Sequence, residues 1–470
     1  MKINIGKQNG EIIKFVAKES EIKCDNLKYL VDNNFFNREN GETFLNLKCE
    51  NPVLLTGLGK PDDITIDTLK VAGLNAGKEA NRLKLEKVTV CVPELKNFTR
   101  KETALAIIEG LLNSTYNYDN YKKTKCEINL KEITACEDCT GDLNNDDIEE
   151  LMAKWSGIVF ARNLVNTPAN DLYPETLANE AMKLKELGVD VKVFGKEEIE
   201  KIGMKAYLSV ARGSNREPKL IVMEYMKGEG APISFVGKGL TYDSGGYSLK
   251  PNDGMKTMKS DMGGSAAVIG AIKAIAEAKL KVNVVGVVAA CENMLDGGAY
   301  KPGDIIGSLR GLSIEVDNTD AEGRLTLADA VTYSEMNYSP KLMVELATLT
   351  GACVVAMGEH RSGVLGNDAE SIEHVLKCAK LENERAWSLP YGKDYQDLNK
   401  SDIADIKNSG GRWGGASSAG EFVGAFIEKT KWVHVDIAGP AFNSAPFMEQ
   451  PKGGTGHMVK TLYRIAKENK

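Results

Sequence analysis

Short apolar runs recur through the second part of this 470-residue chain, and stretches with helical spacing lie between them. Each run is rich in aliphatic residues and has the length of a buried β-strand. Buried strands that alternate with helices form a largely parallel sheet with helices on both faces. We therefore predict an α/β fold whose C-terminal domain has a mostly parallel central sheet flanked by helices. The predicted strands are ISFVG (233–237), VNVVGVVAAC (282–291), SIEV (313–316), LMVELATL (342–349) and WVHVDIAG (432–439), and two of the helices are 265–280 and 327–336.

The first part of the chain has apolar runs and helical patterns of its own, which predict a smaller N-terminal α/β domain. The acidic, turn-forming stretch GDLNNDD (141–147) is a candidate boundary, and Pro168 ends the helix that follows it. The predicted limits are 1–147 for the N-terminal domain, 148–166 for a linker helix and 167–470 for the C-terminal domain. Strands are expected within FLNLK, PVLLTGL and KVTVCVPE, and helices over Ile64–Lys84 and Lys101–Leu112.

Composition excludes several functional classes. The net charge of −7 argues against a protein built to bind nucleic acid. No stretch approaches the roughly 18 apolar residues that a transmembrane helix needs, and the N-terminus lacks the apolar core of a secretory signal. Nine scattered cysteines are typical of free thiols in a reducing compartment. We expect a cytoplasmic protein without a membrane or nucleic-acid partner.

Two of the cysteines, Cys136 and Cys139, form a lone C-x-x-C pair, which is a weak signal by itself. A zinc site would need two more ligands. Cys126 is a possible third ligand, and no histidine occurs in the first 350 residues. We interpret these thiols as structural or incidental, with a metal or redox role as the alternative.

Charged residues follow two of the predicted strands and precede one predicted helix. In α/β sheets, ligands bind at the carboxyl ends of the strands, so these side chains are expected to converge. Any one of the loops could instead be a solvated polar turn, but their joint position favours a site. The residues are Lys238, Asp243 and Lys250 after the first strand, Asp261 before helix 265–280, and Asp320, Glu322 and Arg324 after strand 313–316.

Four carboxylates in one place repel one another unless cations neutralise them. Divalent metal ions are the natural occupants, and the lack of histidine in these loops favours oxygen ligation. Oxygen ligands suit Mn²⁺ and Mg²⁺, and Zn²⁺ also accepts carboxylates. Two ions roughly 3.5–4 Å apart can activate a shared water molecule. The cluster therefore predicts a two-metal hydrolytic site.

At these residues the chain resembles the leucyl aminopeptidase family, also called cytosol aminopeptidases, which are dinuclear metallo-exopeptidases. NTDAEGRL (318–325) matches the family signature. VGKGLTYDSGGYSLK (236–250) resembles the first metal-binding loop, with Tyr242 where Phe is usual, and MKSDMGGSAAV (258–268) resembles the second. The likeness covers about residues 150–465, whereas the N-terminal part matches no motif.

The resemblance implies a role for each matched residue. Asp243 and Glu322 would bridge two ions, Lys250 would stabilise the developing oxyanion, and Arg324 would hold a bicarbonate ion that acts as general base. Asp261 and one metal would receive the α-amine of the substrate. The implied metal ligands are Lys238, Asp243, Asp261, Asp320 and Glu322, and the implied substrate-binding residues are Met258, Asn318, Thr348, Leu349 and Gly351.

The resemblance also implies an activity, in which the C-terminal domain hydrolyses the N-terminal peptide bond of peptides that have a free N-terminus. Apolar residues such as Leu would be preferred, and a two-metal-activated water would be the nucleophile. Mn or Zn would be the ions, with Mg and Co also compatible, and the chain would form a homohexamer. Two alternatives stay open, a two-metal phosphohydrolase and a non-catalytic DNA-binding role, although the acidic net charge argues against the second.

Overall fold

The computed structural model describes residues 1–20, 22, 24–47 and 52–469, and the chain divides into two compact units. The N-terminal unit comprises Met1–Trp155 and Pro446–Pro451, and the C-terminal unit comprises Ser156–Ala445 and Lys452–Lys470. The boundary at Trp155 falls inside the predicted linker helix. The domain limits drawn from the sequence stay a prediction.

The N-terminal unit is built on a six-stranded sheet in the order β1-β6-β5-β2-β4-β3. Its neighbouring strands are parallel except for the antiparallel pair formed by β3 and β4. The sequence patterns missed β1, β2 and β6, and Lys48 of the predicted FLNLK strand lies outside the described residues. The elements are β1 (Lys2–Gly6), β2 (Glu11–Val16), α1 (Asp25–Asp32), β3 (Thr43–Asn46), β4 (Val53–Gly57), α2 (Ile66–Arg82), β5 (Lys87–Cys91), α3 (Arg100–Asn113), β6 (Glu132–Cys136) and α4 (Asn145–Asn166), the last of which contains the unit boundary.

Helices α2 and α3 pack closely because small residues face each other. An added Cβ at Gly73 would overlap the carbonyl of Ile107, and one at Gly110 would overlap the carbonyl of Lys70. Each helix begins at a threonine cap, where Thr65 accepts from the Thr68 N–H and Thr99 accepts from the Glu102 N–H. These local signals explain why both predicted helices form close to their predicted limits.

The C-terminal unit is built on an eight-stranded sheet in the order β15-β14-β17-β13-β9-β10-β8-β7. The strands are β7 (Asp190–Phe194), β8 (Lys219–Met226), β9 (Ile233–Asp243), β10 (Asn283–Asn293), β11 (Ile305–Ile306), β12 (Ile314–Glu315), β13 (Leu342–Ala347), β14 (Ser362–Gly366), β15 (Ala386–Ser388), β16 (Ile406–Lys407), β17 (Trp432–Asp436), β18 (Phe442–Asn443) and β19 (Gly453–Gly454). The helices are α5 (Pro174–Met182), α6 (Lys196–Ile202), α7 (Lys205–Ala211), α8 (Asn252–Met255), α9 (Gly263–Glu277), α10 (Gly323–Tyr338), α11 (Gly351–Met357), α12 (Ala369–Leu381), α13 (Lys393–Gln396), α14 (Gly415–Gly424) and α15 (Val459–Glu468).

The four central strands, β17, β13, β9 and β10, are mutually parallel, and the antiparallel pairs lie outside them. The central strands are almost wholly buried, as expected for a sheet with helices on both faces. The predicted α/β fold with a mostly parallel central sheet is confirmed, as is the smaller N-terminal α/β domain. Among the described residues, no helix combines the length and the apolar character required to cross a membrane.

Two predicted strands differ from the observed ones. The run 233–237 continues to Asp243, because β10 pairs with β9 as far as Asn293 opposite Asp243. Lys238 and Asp243 therefore lie within a strand rather than in the loop after it. The run 313–316 does not join the central sheet, since β12 pairs with β11 and β16 in a separate three-stranded sheet.

Candidate metal centre

The charged residues predicted from the sequence converge at the carboxyl end of β9. Lys238 and Asp243 belong to that strand, and Asp261 lies between the short 3₁₀ turn Met258–Ser260 and α9. Asp320 lies in the loop after β12, and Glu322 directly precedes the first residue of α10. Carboxylate oxygens of Asp243, Asp320 and Glu322 lie within 4.8 Å of one another.

Glycines let the second loop approach the sheet. An added Cβ at Gly264 would overlap the carbonyl of Leu346 in β13, and one at Gly237 would lie 2.7 Å from the Ser265 backbone. The first turn of α9 therefore rests directly on the strands. This close contact places Asp261, which precedes the helix, beside Lys238.

Two lysines lie among the four carboxylates. The Lys238 Nζ donates to Asp261 Oδ1 at 2.8 Å and lies 2.9 Å from Glu322 Oε1. The Lys250 Nζ lies 2.7 Å from Asp243 Oδ2 and 2.5 Å from Asp320 Oδ1. All the predicted ligands are thus part of one charged network, in which the ammonium groups neutralise half of the negative charge.

The two lysines do not fully stabilise the negative charge of the carboxylates, because the pKa values of Glu322 and Asp261 are raised. Burial, together with the charge of Asp243, raises the pKa of Glu322 to about 8. Burial also raises the pKa of Asp261 to about 6, although the Lys238 charge acts in the opposite direction. Burial acts to lower the pKa of Lys238, but the charges of Asp261, Glu322 and Asp243 raise it overall. The ammonium groups alone do not stabilise four ionised carboxylates.

An unpartnered oxygen shows that the cluster fits metal ions. Glu322 is 1% exposed, and its Oε2 is buried without a hydrogen-bond partner. Buried carboxylate oxygens are normally paired, so this oxygen is available to coordinate a cation. The donor set of oxygens plus one amine suits divalent ions, which would also remove the charge that keeps Lys238 protonated. Lys238, Asp243, Asp261, Asp320 and Glu322 are the residues that could hold them.

Arg324, in the first turn of α10, is also only partly satisfied. Its Nη1 donates to the carbonyl of Asn408 at 2.8 Å, whereas its Nε is buried without a hydrogen-bond partner. Burial lowers the pKa of Arg324 to about 10, so the guanidinium stays charged at neutral pH. A buried, charged guanidinium with free donor capacity suits a small planar anion.

Asn408 organises the loop that carries the NTDAEGRL signature, and sequence reasoning missed it. Its side-chain oxygen accepts from the backbone N–H groups of Asp317 and Asn318, and its amide donates to the Asn318 carbonyl. It lies just after β16, which pairs with β12. No spacing in the sequence links this asparagine to a loop some 90 residues earlier.

Asn293 is a second site residue that the sequence reasoning missed, although its position just after a predicted strand could have indicated it. Its amide donates to Asp243 Oδ1 at 2.8 Å and to the Thr319 carbonyl at 3.0 Å. It is the last residue of β10, next to Asp243 in the sheet. The rule that carboxyl ends of parallel strands carry site residues would have included it.

The predicted substrate-binding residues surround the cluster in different ways. Thr348 is bound to it directly, because its hydroxyl donates to Asp261 Oδ1 and its carbonyl accepts from Lys238. Asn318 uses its side-chain oxygen to accept from the Asp320 N–H. Met258 and Leu349 are partly buried, and Gly351 is exposed, with open space where a Cβ would lie. Their contact with substrate stays a prediction.

Comparisons with known proteins find the same family that the motifs indicate. Residues 159–463 match the profile of the cytosol aminopeptidase family, catalytic domain, and residues 20–125 match that of its N-terminal domain. A "Probable cytosol aminopeptidase" of Treponema denticola is 45% identical over 98% of both chains, and one of Clostridium tetani is 44% identical over 99% of both. No sequence motif had predicted the match of residues 20–125 to the N-terminal domain of the family.

Two solved structures share the fold over nearly the full chain. The bottromycin maturation enzyme BotP in complex with Mn has a TM-score of 0.89 and 28% identity, covering 98% of this chain and 99% of its own. A mutant of tomato leucine aminopeptidase has a TM-score of 0.89 and 29% identity, covering 100% of this chain and 97% of its own. The resemblance inferred from the motifs is therefore confirmed.

Proposed function

The chain belongs to the cytosol aminopeptidase family and is a metal-dependent aminopeptidase, and from that premise we propose that it releases apolar N-terminal residues such as Leu through a two-metal mechanism. Its substrates would be peptides with a free N-terminus. The observation that carries the proposal is the cluster of Asp243, Asp320 and Glu322, which Lys238 links to Asp261, together with the unpartnered Glu322 oxygen.

Five residues would hold the two ions, namely Lys238, Asp243, Asp261, Asp320 and Glu322. The family resemblance would make Asp243 and Glu322 the ligands shared by both ions, and their carboxylate oxygens lie within 4.8 Å of each other. When bound, the ions would activate the attacking water and polarise the scissile carbonyl. The chain would hold its ligands in place through Thr348, which binds Asp261, and Asn293, which binds Asp243.

Lys250 would stabilise the oxyanion that develops on the carbonyl. Its Nζ lies between Asp243 and Asp320, and the side chains of Lys250 and Asp320 are the most exposed of the cluster. A positive charge at that position acts most strongly on the transition state, where the oxygen carries most charge. Arg324 would hold a bicarbonate ion as general base, because its buried guanidinium has an unused donor.

Recognition of the substrate amine would involve Asp261, which supplies a carboxylate beside one of the ions. An internal peptide bond has no free amine to offer, which explains exopeptidase action. The apolar side chains of Met258 and Leu349, with the open space beside Gly351, support a preference for apolar N-terminal residues.

We propose Mn²⁺ or Zn²⁺ as the native ions, with Mg²⁺ and Co²⁺ as compatible substitutes. The oxygen-rich ligands suit the hard members of this series, and BotP is described in complex with Mn. We further propose a cytoplasmic homohexamer that does not bind nucleic acid. Exposed Val355, Trp387 and Trp413 on the C-terminal unit support burial between subunits, and the net charge of −7 disfavours nucleic acid.

The direct test is hydrolysis of Leu-p-nitroanilide by protein that has been stripped with chelator and resupplied with Mn²⁺. Activity should disappear and return, and it should be higher on Leu than on Glu derivatives. Hydrolysis of p-nitrophenyl phosphate in place of the anilide would contradict the proposal, because it would indicate a phosphohydrolase.

A further inference from the structure

Three cysteines converge in the N-terminal unit, although only two of them are close in sequence. Cys91 ends β5 and Cys136 ends β6, and the register places Val90 opposite Ala135 just before them. Their side chains therefore leave neighbouring parallel strands at the same edge. The Sγ atoms of Cys91, Cys136 and Cys139 all lie within 4.8 Å of one another.

A tight turn brings the third thiol back to the strands. The Cys139 N–H donates to the Cys136 carbonyl at 3.1 Å, and the Thr140 hydroxyl donates to the same carbonyl at 3.0 Å. The third thiol that joins the C-x-x-C pair is thus Cys91 rather than Cys126, which had been the possible partner in the sequence. The thiols are half-buried, and Cys91 also lines a cavity of 370 Å³, so small ions have access to them.

The surroundings favour a thiolate in this cluster. Hydrogen bonding from the Cys91 thiol lowers the pKa of Cys139 to about 6, and the Arg100 charge contributes in the same direction. The same interaction, with burial, raises the pKa of Cys91. The three sulfurs lie close enough together for one cation to bind all of them.

We propose that Cys91, Cys136 and Cys139 form a metal site in the N-terminal unit that binds one soft, thiophilic cation such as Zn²⁺ or Cu⁺. Zn–S bonds of about 2.3 Å place three sulfurs about 3.8 Å apart around one ion, which the observed spacing reaches with small side-chain movements. A solvent molecule would be the fourth ligand of Zn²⁺, whereas Cu⁺ needs only the three sulfurs. Thiolate ligands select such soft ions, whereas the carboxylate cluster of the C-terminal unit selects harder ones. The ion would link the carboxyl ends of β5 and β6 to the turn that follows β6.

The number of thiols favours a metal over a disulfide. A disulfide would join two of the three sulfurs and leave the third without a role, whereas a metal uses all of them. A mixed group elsewhere, His374, Cys378 and Glu468, is a weaker candidate because Glu468 already pairs with Arg464 at 3.3 Å. It serves as a control.

Co²⁺ distinguishes the proposed site from the catalytic one by its spectrum. Full-length protein, reduced and metal-free, is first loaded with Mn²⁺ and then titrated with Co²⁺ without oxygen. A thiolate-to-Co²⁺ charge-transfer band in the near ultraviolet should appear, and its final intensity should correspond to one thiolate-bound Co²⁺ per chain. Co²⁺ that replaces Mn²⁺ at the carboxylate cluster adds nothing to it, because carboxylate and amine ligands give no such band. Zn²⁺ should then abolish the band by displacement.

The variants Cys91→Ser, Cys136→Ser and Cys139→Ser should each weaken Co²⁺ binding in this band by at least about 10-fold while leaving the hydrolysis of Leu-p-nitroanilide unchanged. Cys126→Ser and Cys378→Ser should keep both the band and its affinity. The proposal is overturned if the wild type shows no band, if the band survives in Cys136→Ser and Cys91→Ser, or if Cys378→Ser removes it. Retained peptidase activity in the variants separates this result from any failure of the proposed function.

Discussion

Two buried glutamates at opposite ends of helix α10 have pKa values that are shifted in opposite directions. Glu322 precedes its first turn and Glu335 lies near its last turn. The helix dipole should stabilise a carboxylate at the first position and destabilise one at the second. The order is reversed, since the pKa of Glu322 is raised to about 8 and that of Glu335 is lowered to about 2.

Hydrogen-bond partners explain the reversal. Burial acts to raise the pKa of Glu335, but the backbone N–H groups of Lys429, Thr430 and Glu428 donate to its carboxylate and lower the pKa overall. Arg310 adds an ion pair. Glu322 pairs with Lys238 through one oxygen, but its other oxygen is unpartnered, and burial with the charges of Asp243 and Asp261 raises its pKa overall. Local donors therefore outweigh the helix dipole. The fold itself compensates Glu335, whereas the proposed metal ions would compensate Glu322.

The largest expected effect comes from Glu322→Gln. The change removes one ligand charge but keeps the shape of the side chain, so we expect the rate of Leu-p-nitroanilide hydrolysis to fall by at least about 100-fold. Chelated protein should lose little stability, because the raised pKa of about 8 leaves the Glu322 carboxyl largely protonated at neutral pH, and a neutral amide of the same shape replaces it. Enzyme assays and urea unfolding measure the two quantities, and unchanged turnover would refute the metal-bridging role.

Lys250→Ala should have the next largest effect. The charge acts on the transition state, so kcat should fall by roughly 100-fold while KM changes little. Lys256→Ala is the matched control, since Lys256 is an exposed neighbour that pairs with Asp253. Steady-state kinetics of both variants decide the point, and an effect of Lys250→Ala confined to KM would argue against stabilisation of the oxyanion.

Arg324→Met should reduce the rate by roughly 10-fold through loss of the general base. In buffer depleted of carbon dioxide, added bicarbonate should accelerate the wild type and leave the variant unaffected. The Asn408 side chain accepts from the backbone N–H groups of Asp317 and Asn318 and so positions the loop that leads to Arg324. Asn408→Ala keeps the backbone carbonyl that binds Arg324 but loosens this loop, so it should weaken the bicarbonate response without abolishing it. A wild type that ignores bicarbonate would remove Arg324 from this role.

Glu335→Gln should have the opposite effect to Glu322→Gln, since it should reduce stability and leave activity nearly unchanged. Loss of charge-assisted hydrogen bonds should lower the free energy of unfolding by about 2 kcal/mol, with kcat within about 2-fold of the wild type. The pKa of Glu335 is depressed, so its stabilisation is present above about pH 4.5 and is lost as the pH falls through about 2. Urea unfolding across that range should show the two proteins converge, and a constant difference would contradict this explanation.

The sequence predicts Glu322 better than it predicts Glu335. Acidic residues at the ends of apolar runs indicate the site, because the strand rule applies to each run separately. The hydrogen-bond partners of Glu335 are residues 428–430, almost a hundred positions later in the chain, and no local sequence pattern predicts them. For the same reason, the sequence does not predict the role of Asn408, the small sheet that contains β12, or the proximity of Cys91 to the C-x-x-C motif. Contacts between distant segments depend on the packing of the whole unit.

The most direct test of the contrast is a titration of chelated protein with Mn²⁺ in which activity and melting temperature are followed together. Both should rise and saturate at two equivalents per chain in the wild type, because Mn²⁺ prefers the carboxylate cluster over thiols. Glu335→Gln should give the same stoichiometry from a lower starting temperature. Full activity with one equivalent or none, or a melting temperature that ignores Mn²⁺, would contradict the account of a site left for cations to complete.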